Sequence, residues 1–558
     1  MIIDARSLPN NEKISTDVCI IGAGVAGISL ARELIGQPYE VALLESGGFE
    51  GDKQTQALYD GENIGLPYYP LDSARSRQFG GSPNRWVMEI GNNRLGARLR
   101  PMDAIDFEQR DWVPHSGWPF DKAHLDSFYL RAQEICKAGP YVYETVDARL
   151  NGKQQPLPFG ENGNVKTAIY QFVSRSVFIE DYRRELDQSP NVSTYVYANA
   201  LEVEASENTQ QVTAIRAGCL DGKEFTVSAR LFVLAAGGIE TPRLMLLSNN
   251  QQSVGLGNEN DLIGRFFMEH PHHWSGLLVP TDRSVFDRAE LYDLAGMGMR
   301  SKNGVLGQLA LSEDVLREEK ILNYGAHIVP AARPRKSSKN EKKPSLRRSA
   351  SAGLEAVKLA GRAIRSGDLN DLNRQLSAMF PVANEFSIAA YRKAAKLLHK
   401  YARASKRFEV FRLNHMTEQQ PNPDSRVLLS SERDALGQNK TRLDWRLTAF
   451  DIRSIIRAQE IIDAEARRLG FGVVEIDMDS DNPPDEIHGG YHHMGTTRMH
   501  TDPKQCVVDA NAKVHGIANL YVAGPSVFPT GGYATPALTA VALAVRLADH
   551  VKDVMART

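Results

Sequence analysis

The segment Gly22-Ala23-Gly24-Val25-Ala26-Gly27 limits the possible folds of this chain more than any other stretch. An apolar, β-branched run from Asp17 to Ile21 precedes it and reads as a buried strand. A helical stretch from about Ile28 to Leu34 follows, and then a second strand, Val41 to Leu44, ending in Glu45. This order is a βαβ unit of the dinucleotide-binding type. Gly22 permits the tight turn, Gly24 lets backbone amides approach a pyrophosphate, and Gly27 lets helix and strand pack closely. The helix start adds partial positive charge for the phosphates. Glu45 lies about twenty residues beyond the glycines, where a carboxylate can accept hydrogen bonds from ribose hydroxyls. A glycine-rich turn alone need not bind anything. Strand, helix, second strand and acid in register favour a dinucleotide, without separating FAD from NAD.

A chain of 558 residues is long enough for two or more domains. Its net charge of −2 gives no footprint for nucleic acid, and no nucleic-acid partner is expected. Cys19, Cys136, Cys219 and Cys506 are scattered, so neither a disulfide framework nor a zinc site is expected. The N-terminus shows no basic stretch followed by an apolar one, and no apolar run approaches the ~18 residues of a membrane span. Cytoplasmic residence and the absence of a transmembrane segment are the expectations.

Residues from about Gly51 to Val192 read as irregular and turn-rich. Two patches stand out there: Arg75-Ser76-Arg77-Gln78-Phe79-Gly80-Gly81-Ser82-Pro83-Asn84-Arg85-Trp86, and Trp112-Val113-Pro114-His115-Ser116-Gly117-Trp118-Pro119. Paired glycines let a backbone pass close to a flat or charged ligand, although a tight loop with no ligand explains them equally well. Arg230 to Ala236 reads as another buried strand, running into Gly237-Gly238, with a helix beginning near Thr241-Pro242. Segment 333–407 carries 19 Lys/Arg against 5 Asp/Glu. Within it, Leu354–Ile364 and Ile388–Tyr401 read as basic amphipathic helices, either a solvated insertion or a docking surface for an anionic partner. His270-Pro271-His272-His273 resembles a metal cluster, but no spaced acid or cysteine completes it, and no metal is expected.

The C-terminal part carries the chemistry. Tyr491-His492-His493-Met494-Gly495-Thr496-Thr497-Arg498-Met499 is followed by a strand, Tyr521–Ala523, then by Gly524-Pro525-Ser526 and Gly531-Gly532-Tyr533-Ala534-Thr535-Pro536. Pro536 opens a helix from Ala537 to about Val551, with Thr535 expected at its N-cap and a positive N-terminus presented to whatever lies in front.

With these motifs together, the chain resembles the GMC (glucose–methanol–choline) oxidoreductases, and it is most similar to their bacterial pyranose-oxidase-like and sugar-dehydrogenase-like branch. The resemblance rests on GAGVAG with Glu45, the GGSPNRW loop, LAAGGIETPRL, EQQPNPDSRV around Glu418, and both C-terminal motifs. It implies an α/β, Rossmann-like FAD-binding domain of GMC type, with an α+β substrate domain built on an antiparallel sheet. Interleaved boundaries follow: FAD-binding segments 1–100, 191–275 and 488–558, and substrate segments 101–190 and 276–487, the latter holding the basic insertion. The resemblance also implies non-covalent FAD, because Arg85 stands where some pyranose oxidases carry a flavin-linking histidine. The implied cofactor contacts are Gly22, Gly24, Gly27, Glu45, Arg77, Gly80, Gly81, Ser82, Asn84, Val203, Ala236, Gly237, Gly524 and Pro536. His492 takes the position of the family's general base, accepting the alcohol proton as hydride passes to flavin N5, and His493 is the weaker candidate. The start of the last helix is expected to stabilise negative charge near flavin N1.

The chain departs from the family at Thr535, where His or Asn usually pairs with the base, and at Val87-Met88, where Gly-Gly is commoner. Threonine can bond a substrate oxygen but cannot act as a base. Oxidation of a secondary hydroxyl on a sugar, glycoside or cyclitol is the first expectation, with Thr535 and His492 as the catalytic pair. A hydrophobic natural-product alcohol, a non-redox lyase on the same scaffold, and a catalytically silent FAD-binding protein are the alternatives. The electron acceptor is left open among oxygen, a quinone and a protein.

Overall fold

A computed structural model describes residues 1–90, 94–143, 156–159, 163–288, 291–292, 305–331, 333, 408–478 and 481–557. Apart from Arg333, the basic insertion 333–407 and its two expected helices lie outside the described residues.

The apolar runs around the glycine motif form a six-stranded parallel sheet. Its order is Ile2–Asp4, Val192–Val196, Val41–Leu44, Val18–Ile21, Leu231–Leu234 and Leu520–Val522. Val18–Ile21 and Val41–Leu44 are buried throughout, as expected of strands covered on both faces. The helix after the glycines begins at Val25, earlier than the expected Ile28, and ends at Glu33. Gly24 is its N-cap, so the glycine turn and the helix start are one structure. The last helix runs Ala537–Arg557, six residues past the expected end, and packs against both Val25–Glu33 and Lys122–Ile135.

An eight-stranded antiparallel sheet forms the second layer. In order, its strands are Gly472–Glu475, His272–Pro280, Val410–Thr417, Tyr324–Ala331, Val305–Leu311, Val165–Ser174, Leu95–Leu99 and Met88–Glu89. One face is apolar. Ile169, Leu309, Ala326, Ile328, Phe411 and Leu413 pack there against the helix Ala449–Arg468 through Ala458, Ile461 and Ile462. A capping box between Thr448 and Asp451 starts that helix.

The sheets correct two expectations. The stretch 51–192 is not simply irregular, since it holds the helix Lys122–Ile135 and the ten-residue strand Val165–Ser174. Short loops around both elements diluted their periodicity. The strands Met88–Glu89, Leu95–Leu99 and the start of His272–Pro280 belong to the antiparallel sheet, although 1–100 and 191–275 were assigned to FAD binding. All four cysteines are buried and free. No described helix is long and apolar enough to cross a membrane.

Candidate active site

The glycine turn has the shape a pyrophosphate needs. Gly22 sits at φ +106°, which favours glycine, and a Cβ on Gly27 would overlap the Gly22 carbonyl. Gly24, by contrast, faces open space, and no side chain caps the helix amides behind it. Glu45 is buried, and its two carboxylate oxygens accept the N–H groups of Ala23 (2.9 Å) and Gly47 (2.8 Å). Burial pushes its carboxyl above the usual range, against those hydrogen bonds. The side chain therefore braces the turn and keeps further lone pairs for ribose hydroxyls.

Other expected cofactor contacts gather around this turn. The Gly80 N–H donates to the Ala23 carbonyl (2.8 Å), which lays the Gly80–Gly81 loop across the glycine turn. Asn84 holds that loop by donating to the carbonyls of Phe79 (2.9 Å) and Gly81 (3.0 Å), and Ser82 is exposed at the first position of the short helical turn Ser82–Arg85. Ala236 and Gly237 are half-buried at the start of the helix Gly237–Leu247, with nothing within 4 Å of where a Gly237 Cβ would stand. Gly524 follows the last parallel strand and lies against Ala26. These open backbone positions, together with Glu45, form a cradle that fits FAD.

Arg77 and Val203 also make hydrogen bonds within the protein. Arg77 donates to Glu240 (3.3 Å) and to Asn199 (3.1 Å), joining Arg75 and Arg243 (3.1 Å) around one buried carboxylate. Its guanidinium thus ties the loop to the helix Gly237–Leu247. The Val203 N–H donates to the Ser248 hydroxyl (2.8 Å). Arg85 donates to the Arg75 carbonyl.

Burial alone would raise the Glu240 carboxyl, but Arg243, Arg75 and Arg77 outweigh it and hold the group at about 2, against an ordinary 4.5. A depressed folded-state value stabilises the fold above pH 4.5 and is lost as pH falls toward 2. The shift corresponds to about 3 kcal/mol. Equilibrium unfolding of Glu240→Gln should therefore show a stability loss of that order at neutral pH and a flatter acid limb below pH 4.5 than the parent.

The helix expected near Thr241 begins at Gly237, so Pro242 lies inside it. Proline has no N–H to offer the carbonyl four residues back, that of Gly238. The Thr496 hydroxyl takes that place, donating to the Gly238 carbonyl at 2.7 Å. The two motifs are thus joined. Thr496→Val should cost about 1–3 kcal/mol in chemical denaturation, the usual penalty for a buried carbonyl left unpaired.

The histidine motif closes on a segment that was weighed only as a metal site. His492 Nδ1 lies 2.8 Å from His270 Nδ1, and His270 Nε2 lies 3.3 Å from the Gly531 carbonyl. Glu269, fully buried, accepts the backbone N–H groups of His492 (2.9 Å), Gly490 (2.9 Å) and His270 (3.2 Å), and its other oxygen accepts the Tyr68 hydroxyl. Burial pushes the Glu269 carboxyl up to about 7. His493 turns the other way, its Nε2 2.9 Å from the Tyr68 hydroxyl. Burial lowers His270 to about 4 and His493 to about 3. Burial, then His270 and Arg98, hold His492 well below the ordinary histidine value. His492 is thus neutral at pH 7, as a proton acceptor must be. No group of three or more potential metal ligands occurs among the described residues.

Thr535 neither pairs with His492 nor caps the last helix. Its hydroxyl donates to the Arg98 carbonyl (2.8 Å), and the Pro536 carbonyl, one residue later, accepts the first helical N–H, that of Ala540. The proline places the cap one position beyond the threonine.

The second face of the antiparallel sheet is polar at its centre. Trp274 pairs with Asn414, Asn414 with His327, and Gln308 with Ala168, so these side chains share that face in adjacent strands. Buried atoms there have no protein partner: Asn414 Oδ1, both His327 ring nitrogens, and both ends of the Gln308 amide. Arg98, buried and with no carboxylate within salt-bridge distance among the described residues, donates to the Met416 sulfur at 3.2 Å. Four strand intervals separate these two residues, about 19 Å in a flat sheet. One side chain cannot span that distance, so the sheet curls and this face is concave. His272 stands on the same face, its ring centre 6.4 Å from that of His492.

Nothing in the local sequence marked Tyr68, Arg98, Gln308, His327 or Asn414, and Glu269 stands directly before the histidine run. His270 was visible in the run His270-Pro271-His272-His273, where a hydrogen-bonding role could have been weighed beside the metal one.

The chain is similar to several known proteins. A family model described as GMC oxidoreductase matches residues 421–544, and one described as FAD dependent oxidoreductase matches 17–254. The fructose dehydrogenase large subunit of Gluconobacter japonicus is 23% identical, with 97% of this chain and 98% of that one aligned. The 2-methyl-1,2-propanediol dehydrogenase of Mycolicibacterium austroafricanum is 22% identical over 96% and 95% of the two chains. The fold is similar to that of formate oxidase from Aspergillus oryzae RIB40, with a TM-score of 0.51 at 16% identity over 98% and 99% of the chains.

Proposed function

We propose, from the premise that this chain is a GMC-family FAD-dependent oxidoreductase, that it oxidises a hydroxyl of a sugar, glycoside or other polyol to a carbonyl. Bound FAD supplies the hydride acceptor. His492 accepts the hydroxyl proton at Nε2, the ring nitrogen not engaged by His270. Glu269 fixes the backbone of that base through three N–H groups. The cradle of Gly22, Gly24, Gly27, Glu45, Gly80, Gly81, Ala236, Gly237 and Gly524 would hold the cofactor.

One observation carries the substrate class. Gln308, His327 and Asn414 bury polar atoms without protein partners on the concave face beside His492. Such atoms are costly unless a ligand or ordered water bonds them. A ligand with several hydroxyls meets that demand, whereas a hydrocarbon alcohol would leave the atoms unpaired. The two dehydrogenases similar to this chain, named for a sugar and a diol, support the same class. Cytoplasmic residence belongs to the same proposal.

The test is anaerobic mixing of the FAD-loaded protein with sugars, glycosides, cyclitols and hydrophobic alcohols. Bleaching of the visible flavin band by polyols alone is the expected result. Bleaching by the hydrophobic set alone would reject the substrate class, and product without bleaching would indicate a lyase. Repeating the screen in air and with an artificial quinone identifies the acceptor.

A further inference from the structure

We infer that His270 is a positioning residue that fixes the ring tautomer of His492, baring Nε2 of the base to the substrate hydroxyl; this rests on the proposed role of His492. The argument starts at Gly531. A carbonyl oxygen only accepts, so the 3.3 Å contact requires His270 Nε2 to carry a hydrogen. A neutral imidazole carries only one, which leaves His270 Nδ1 as a bare acceptor. Its 2.8 Å contact with His492 Nδ1 then requires His492 to donate. The single proton of His492 is therefore on Nδ1, and Nε2 keeps its lone pair.

The surroundings enforce this order. Glu269 accepts the backbone N–H of both histidines and so holds the two segments in register. Gly490 allows the rings to crowd, since a Cβ there would stand 2.8 Å from both His492 Nδ1 and His272 Nε2. The other groups facing His492 are His272, His493 and Arg98, and none makes a hydrogen bond to its Nδ1. With burial holding it at about 4, His270 stays neutral through the physiological range and keeps its acceptor.

The consequence for the reaction is direct. The substrate hydroxyl would give its proton to His492 Nε2, and FAD held in the cradle would supply the acceptor for the hydride lost from the carbinol carbon, so that the C–O bond becomes a carbonyl. The ring is then a cation, and its Nδ1–H bond to His270 becomes charge-assisted. The second group acting with the base thus comes from the turn before His272 and not from position 535. Thr535 is free to bond the Arg98 carbonyl instead.

The test uses FAD-loaded, full-length protein grown with isotope-labelled histidine, whose ring-nitrogen shifts report the tautomer directly. One histidine, absent from His492→Ala spectra, should show a protonated Nδ1 and a bare Nε2. In His270→Leu that signature should move toward the opposite tautomer, and kcat should fall about 10–100-fold with KM little changed, the usual effect of removing a group that orients an imidazole. His270→Asn keeps an acceptor near the Nδ1 position and should restore most of the loss. Finding His492 protonated on Nε2 in the parent protein would overturn the inference, as would equal slowing by Asn and Leu at full FAD occupancy. If His492→Ala turned over normally while the Nδ1 signature stood, the base assignment would fall and the tautomer relay would stand.

Discussion

Replacing His492 with alanine should lower turnover by about 10²–10⁴-fold while FAD stays bound, because a positioned general base contributes on that scale. The cradle at Gly22–Gly27 and Glu45 involves no atom of His492, so the flavin spectrum should survive the substitution. The pH profile gives an independent reading. A base acts in its neutral form, so kcat/KM rises as pH climbs through its folded-state pKa and then levels. Burial, His270 and Arg98 hold His492 well below 6.5, so the plateau should already be reached at pH 6.5. An acid limb centred above that pH would contradict the assignment. His493→Ala serves as the contrast: its ring faces Tyr68, so the loss there should appear in thermal stability more than in the rate of the chemical step.

The largest structural loss should come from Glu418→Ala. Glu418 and Arg110 are both fully excluded from solvent and form a bidentate pair at 2.5 and 2.8 Å, and Glu418 also accepts the Asn323 N–H at 2.9 Å. Removing the acid strips the guanidinium of its hydrogen-bonded carboxylate and leaves Asp106 as its nearest buried acid, and breaking such a buried pair costs about 3–5 kcal/mol. Denaturant titration of the holoenzyme reads the change. The double replacement Arg110→Met with Glu418→Leu should lose much less, since an apolar pair of similar volume avoids the stranded charge. If the single and double variants lost equal stability, the pair would matter only as packing.

This ion pair also shows what was legible before the fold was known. Arg110 precedes the Ser116–Pro119 patch and Glu418 begins EQQPNPDSRV, both conspicuous as motifs. Yet their meaning is a contact across 308 residues of chain. Ser116 accepts the Arg110 N–H, and Trp118 donates to Thr530, so that patch is a clamp on the C-terminal segment. The glycine turn, Glu45 and the His492 motif were readable because their chemistry lies in a few neighbouring residues. Gln308, His327 and Asn414 were not, because Gln308 and His327 each sit alone in an apolar strand, Asn414 is one of several polar residues in its own, and only the pairing of strands makes a row of them. Thr535 was misread by one position, because the Pro536 carbonyl opens the helix. The Gly237–Leu247 helix started four residues early because Thr496, distant in sequence, satisfies the carbonyl that Pro242 leaves free.

The loop that crosses the glycine turn has a kinetic meaning. With Gly80 bonded to Ala23, and Gly81 so near Gly24 that an added Cβ would meet its Cα at 2.9 Å, the chain forms a strap over the place where a dinucleotide would thread. A cofactor threaded beneath it would leave only if the loop parted from the turn, which the tie of Arg77 to Glu240 resists, so retention would be governed by a rate as well as by an affinity. Loading would accompany maturation of the chain, and the enzyme would keep its yellow colour through long dialysis without a covalent tether.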